Sequence, residues 1–331
     1  MIESPAVDAP TGVHSSNCVL YAIASPDGVS RVGLRKAARL AGALGAELEL
    51  FCRAFDPAVV RPGRPNSPNP EEDIRDYLER WQSQLWPVVK DLRATGLAVH
   101  SNVEWHSHAA EAIIGEVLRR RPAYVLVESF RKSTGASVLS AQVENSLIEL
   151  CPCPLLLIRN ARPYPEHPTV VAAVDPMHAH AKPAALDDAI VAAAAGLSKA
   201  LSGELHLFHA RVPWAVAAHE VRGPIWVPDL AKDEDQVAYE HGVAARVAEL
   251  ASYNDVPCLC THLVDGDVTE CLPSFSHADA VDIVAMGVLS RSLLARIMVG
   301  DTARRLLERL ECDVLIVKPN SKTSPEVGEL P

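Results

Sequence analysis

The chain has 331 residues, 48% of them hydrophobic, and a formal charge of −11. Its length suits about two packed domains, and the acidic balance excludes a general nucleic-acid or anionic-membrane partner, since both need a basic surface. No run of about 18 apolar residues exists and the start MIESPAVDAP lacks the basic-then-apolar plan of a signal peptide, so no membrane span and a cytoplasmic location are expected.

In chain order, residues 1–17 read as a lead-in without structure of its own. Residues 18–24 (CVLYAIA) form a strand, Pro26-Asp27-Gly28 a turn, and 32–44 a helix by its apolar spacing. Residues 46–53 (AELELFCR) alternate as a strand. A proline-rich loop, 56–70, leads into a long helix over 71–94, with Ile74, Leu78, Trp81, Leu85 and Val88 on one side. A strand over 97–105, a helix over 109–120, a strand over 123–127, a helix over 143–150 and a strand over 155–158 follow.

The series then restarts. TVVAAVD at 169–175 answers CVLYAIA, ELHLFHAR at 204–211 answers the second strand, and a helix over 234–253 answers the one at 71–94. Cys153 and Cys312 differ by 312 − 153 = 159, and the same offset lays 123–127 on 282–286. Two copies of a roughly 150-residue βαβ unit are thus expected. The segment 160–168, NARPYPEHP, carries three prolines and reads as a linker, and 320–331 as a polar tail. The domains are set at 18–159 and 169–319.

Strands alternating with helices imply right-handed crossovers and an α/β fold of two tandem doubly wound, five-stranded parallel sheets. Ligands of such sheets lie beyond the carboxyl ends of the strands, where strand order reverses. In the second half those ends are Asp175 and Gly287, so the two are expected to border one crevice. Residues 281–318 read as strand, glycine turn, helix and closing strand. The helix is expected over 302–310, with Asp301 as its N-cap.

These residues carry a resemblance. Gly287-Val-Leu-Ser290, nine residues, then Gly300-Asp301-Thr302 has the length of the phosphate-loop pattern of the universal stress protein family. That pattern is Gly, two residues, Gly, nine residues, Gly, then Ser, Thr or Asn. Further matches to its E-type tandem members are Glu104-Trp105-His106 with Glu111-Ala112-Ile113-Ile114, Cys151-Pro152-Cys153-Pro154, and the segment from Cys312 to Pro319. The resemblance covers about 18–320. It implies the universal stress protein, adenine-nucleotide alpha-hydrolase-like, fold, an internal pseudo-dimer of the two domains, and a homodimer of the whole chain. For cofactors it implies ATP, held by Asp175, Gly287, Ser290, Arg291, Gly300, Asp301 and Thr302.

Two departures bear on that site. Ser290 replaces the middle glycine, so its Cβ narrows a backbone approach that glycine leaves open. Asp301 brings a carboxylate that, about 4 Å from a phosphate charge, costs roughly 4 kcal/mol at an effective dielectric near 20. Either a metal ion or Arg291 offsets that charge, or Asp301 only caps a helix and no anion visits. In the first half the matching positions are Ala24, Glu128, Arg131, Ala141 and Gln142, and that site is read as lost.

Other candidates carry a plain reading beside the chemical one. His178 and His180, two apart and following Asp175, suit a divalent ion together with it if extended, or simply solvation. Cys258/Cys260 and Cys151/Cys153 lack a paired CxxC and read as core or edge thiols, and the eight cysteines together as reduced, mostly buried thiols. His106 and His108 line the carboxyl edge of the first sheet or serve structure. The loops 56–70 and 212–229, the latter with Trp214, Ile225 and Trp226, either cover a crevice for a small hydrophobic or nucleotide ligand or pack between domains. Three function classes follow: a stress-response ligand-binding or signalling module without turnover, a weak ATP binder or ATPase, and a protein-interaction scaffold. The catalytic class lacks a Walker pattern and a signature base, so no catalytic residue and no resident metal is assigned.

Overall fold

The computed structural model of the protein describes residues 17–24, 30–60, 69–129, 140–176, 186–212, 234–257, 260–288 and 300–318. The first half runs β1 (Cys18–Ile23), α1 (Arg31–Leu44), β2 (Glu47–Ala54), α2 (Pro70–Ala94), β3 (Val99–Trp105), α3 (Ala109–Arg120), β4 (Tyr124–Glu128), α4 (Ala141–Leu150) and β5 (Leu155–Ile158). The second repeats it: β6 (Thr169–Ala173), α5 (Leu186–Leu201), β7 (Glu204–Arg211), α6 (Glu234–Tyr253), β8 (Thr261–Asp265), α7 (Val268–Ala278), β9 (Ile283–Gly287), α8 (Asp301–Arg309) and β10 (Asp313–Val317).

Local chemistry explains the helix ends. Ser30 sits extended before α1 and its hydroxyl accepts from the Val32 and Gly33 amides, while Gly45 closes the helix in the left-handed conformation. Asn69, Pro70 and the acids Glu71, Glu72 and Asp73 start α2, where negative charge meets the positive helix end.

Within each half the strands pair in parallel in the order 3-2-1-4-5 and 8-7-6-9-10. Each half thus has the expected five-stranded parallel sheet. Strands β5 and β10 pair antiparallel and fuse the two into one ten-stranded sheet. The register is Val314 with Leu157, Leu315 with Leu156 and Ile316 with Leu155. Since 315 − 156 = 159 is the repeat offset, the central pair joins equivalent residues and the flanking pairs exchange places about a pseudo-two-fold axis.

Side chains alternate across the sheet. Val19, Tyr21 and Ile23 join one core with Leu34 and Leu40 of α1, Leu85 of α2, Ile190 of α5 and Val247 of α6. Leu20, Ala22 and Phe51 join the other with Ile113 of α3, Leu147 of α4, Leu272 of α7 and Leu306 of α8. Both cores run through both halves. No described helix is long and apolar enough to cross a membrane.

Candidate functional site

Neighbouring strands β6 and β9 pair Ala173 with Met286, so Asp175 and Gly287 leave the same carboxyl edge of the sheet side by side. The Asp175 amide donates to Asp187 Oδ1 at 3.1 Å, and Asp187 is buried in the first turn of α5. His209 on β7 is also buried; its Nδ1 lies 3.0 Å from the Val174 carbonyl and 3.9 Å from Asp175 Oδ1. The Asp175 side chain remains 45% exposed. A partly open carboxylate is thus backed by a buried carboxylate and a buried imidazole. Neither Asp187 nor His209 was singled out from the sequence, although the repeat lays them on Ser30 and Cys52 of the first half.

Gly287 ends β9, paired with Val317. A Cβ there would lie 2.9 Å from Ile190 Cδ1 and from Leu186 Cδ2, so the glycine lets α5 approach the strand closely. This packing role is independent of any phosphate. Gly300 precedes α8 with φ −60° and ψ 151° and occupies the N-cap position, contrary to the expected Asp301 cap. Asp301 is already the first helical residue, one place too late for its carboxylate to cap. Its side chain is 86% exposed and pairs with Arg304 at 3.5 Å. Thr302 beside it is exposed. Ser290 and Arg291 lie outside the described residues, as do His178, His180, Arg131, Cys258, and Trp214, Ile225 and Trp226 of the second loop.

The first half differs at the same edge. Glu128 holds the place of Gly287, and its Oε1 accepts from the Tyr21 hydroxyl. Ser30, the cap of α1, also hydrogen-bonds this carboxyl, which burial nonetheless holds above the ordinary carboxylate range. The Tyr21 hydroxyl is raised well above its usual value by burial and by the Glu128 charge. Gly33 completes the set, because a Cβ there would collide with Glu128 Oε1 and the Tyr21 hydroxyl. In the second half the matching residues are Gly287, Ala172 and Ile190. The first crevice is therefore filled by the chain's own carboxylate at the start of a helix, where an anion from outside would otherwise be favoured.

The seven described cysteines are free thiols, and burial pushes Cys52 and Cys312 up to about 12, which marks these two as packing residues. His106 and His108 lie with Glu111 at the end of β3.

The universal stress protein family profile matches residues 19–159 and 167–318. Universal stress protein E of Escherichia coli strain K12 is 22% identical over 308 residues, spanning 92% of this chain and 95% of its own length. A solved protein of unknown function from Pseudomonas aeruginosa PAO1 shares the fold at TM-score 0.66 and 20% identity, covering 92% of this chain and 93% of that one. A universal stress protein from Archaeoglobus fulgidus does so at TM-score 0.62 and 14% identity, covering 92% and 98%. Two family matches along one chain, on two repeats of the same five-stranded topology, show that it belongs to the universal stress protein family as a tandem, E-type member.

Proposed function

We propose that the protein is a ligand-binding or signalling module without turnover, divided at 18–159 and 169–319, whose small-ligand crevice belongs to the second half. The observation that carries this reading is the asymmetry between the repeats. The first crevice holds the Glu128 carboxylate, whereas the second presents Asp175, 45% exposed, beside the strand end at Gly287. Gly287, Gly300, Asp301 and Thr302 border that crevice in this reading, and Ser290 and Arg291, between them in the sequence, belong to the same proposed site. ATP is the first ligand to test, at weak affinity, because Asp301 adds negative charge where phosphates would lie.

Calorimetric titration of ATP with magnesium into the full chain, Asp175→Ala, Gly300→Val and Glu128→Gln tests it. The expected outcome is weak binding, lost in the first two variants, kept in the third, with no phosphate release. Hydrolysis abolished by Gly300→Val would instead make it a nucleotide-using enzyme. If no nucleotide binds and mass spectrometry of the purified protein recovers no small ligand, the scaffold reading replaces this one.

A further inference from the structure

The sequence His106-Ser107-His108-Ala109-Ala110-Glu111 bridges the end of β3 and the start of α3, at the carboxyl edge of the first half. His108 is extended (φ −109°, ψ 109°) and occupies the N-cap position. Residues two apart along extended chain project to the same side, which brings His106 and His108 together. Glu111 stands at the third position of the helix, from which a carboxylate folds back over the cap residue. One ligand atom from each of the three lies within 4.8 Å of the others. His108 Nδ1 lies 3.9 Å from Glu111 Oε2.

The backbone carrying this triad is pinned. Arg53 Nε donates to the His106 carbonyl at 2.6 Å and its terminal nitrogen to the Ser107 carbonyl at 2.6 Å. The His108 amide donates to His106 Nδ1 at 3.0 Å, and Ser107 Oγ lies 2.9 Å from His108 Nδ1. The side chain of His108 makes no cap bond, and the side chains of His108 and Glu111 are 69% and 70% exposed. For these two, closure onto an ion therefore rearranges the edge-to-face contact of the two imidazoles, whose centroids lie 6.1 Å apart, and the Ser107 bond.

We infer that His106, His108 and Glu111 form a binding site for one borderline divalent metal ion of the zinc and nickel class. The metal takes one ring nitrogen from each histidine and a Glu111 oxygen, and water completes the tetrahedron. Bonds of about 2.0–2.1 Å set donors about 3.3 Å apart, so the exposed side chains close by roughly an ångström and His106 exchanges its bond from the His108 amide for coordination. The local field decides the class of metal. The Arg53 guanidinium and the positive end of α3 both repel a cation held by charge alone, which disfavours magnesium and calcium, whereas imidazole nitrogen favours zinc, nickel and copper.

The test is a titration of chelator-treated full-length protein with zinc against a chromophoric competitor, repeated on His108→Ala, Glu111→Gln and His106→Gln. Cobalt replaces zinc in a parallel optical measurement. The expected result is one equivalent of zinc, at least tenfold weaker binding in each variant, a tetrahedral cobalt spectrum without thiolate charge transfer, and no competition from excess magnesium. Circular dichroism of the variants is expected to match the parent. Absence of zinc binding overturns the proposal. So does binding of unchanged affinity in the His108 and Glu111 variants, which would move the ion to the thiols or to other histidines.

Discussion

At the scale of single residues, the first repeat shows how one substitution enforces others. A glutamate at the strand end, where the second repeat has glycine, needs a donor and room. Tyr21 and Ser30 supply the donors and Gly33 the room. Gly33→Ala in the folded parent is expected to cost about 1–3 kcal/mol by overpacking. In a Glu128→Ala background the part of that cost due to the carboxyl disappears, the Tyr21 hydroxyl contact remains, and the roughly 1 kcal/mol preference for Ala over Gly inside a helix offsets some of the remainder. A double-mutant cycle on urea unfolding reads the coupling, and strict additivity would contradict the packing argument. The pH dependence has a definite sign. Burial raises the Glu128 carboxyl, so the folded chain holds that proton at pH values where the unfolded chain has released it. The resulting contribution is intact below the ordinary carboxylate range and is lost as pH rises through the folded value. Glu128→Gln should therefore gain stability relative to the parent between about pH 4 and pH 7. Glu49 and Asp282 are shifted the same way but are common to both proteins, so the difference isolates Glu128. A pH-independent difference would refute it.

Among elements, α5 and β9 show which parts of the site were legible beforehand. The strand ending at Gly287 could be read from its apolar run. The reason for the glycine could not, because Leu186 and Ile190 approach it from a helix about 100 residues away. Gly287→Ala is expected to lower stability by about 1–3 kcal/mol with no ligand present, and the loss should shrink in Ile190→Val, which removes the Cδ1 atom in contact. Matching chemical denaturation curves for the parent and Gly287→Ala would return the glycine to a purely ligand-facing role. The repeat itself was legible, because the same order of aliphatic strands recurs and the last two strands and the Cys-containing turn do so at the single offset of 159. The α8 boundary was misjudged by one residue because Gly300 and Asp301 both suit a cap, and backbone angles decide between them. Glu128 read only as a lost glycine; its partners Tyr21, Ser30 and Gly33 lie about 100 residues earlier in the chain, so nothing local announces them.

Over the whole molecule, the seam between β5 and β10 makes two repeats into one body, and its polar groups follow the same pseudo-symmetry. Arg159 and Lys318, equivalent at the repeat offset, each reach across to the other half. The Arg159 guanidinium donates to the Leu307 carbonyl in α8, and Lys318 Nζ donates to the Glu149 and Cys151 carbonyls at the end of α4, at 2.8 and 2.7 Å. A cation at a helix carboxyl end satisfies orphan carbonyls and the dipole together. Arg39 of α1 adds contacts to the linker, donating to the carbonyls of Tyr164, Pro165 and Glu166 and to that of Leu201 in α5.

The buried centre of this seam breaks the symmetry. Lys36, 2% exposed, donates to Asp313 Oδ2 and to the Asn160 carbonyl, each at 2.7 Å. Asp313, 0% exposed, accepts also from the Arg159 and Asn160 amides and the Tyr164 hydroxyl. Replacing both charges by apolar groups need not be costly, but removing one strands the other in a medium of low dielectric. Lys36→Met should therefore destabilise by about 3–5 kcal/mol, and Lys36→Met with Asp313→Asn by less than that single change. Urea unfolding followed by circular dichroism separates two consequences. If the continuous sheet keeps the halves cooperative, the midpoint falls while the dependence on urea is unchanged; if the seam parts first, that dependence weakens and a second step appears. A loss under about 1 kcal/mol in Lys36→Met would mean that water reaches Asp313, and that the apolar β5–β10 pairing alone holds the repeats together.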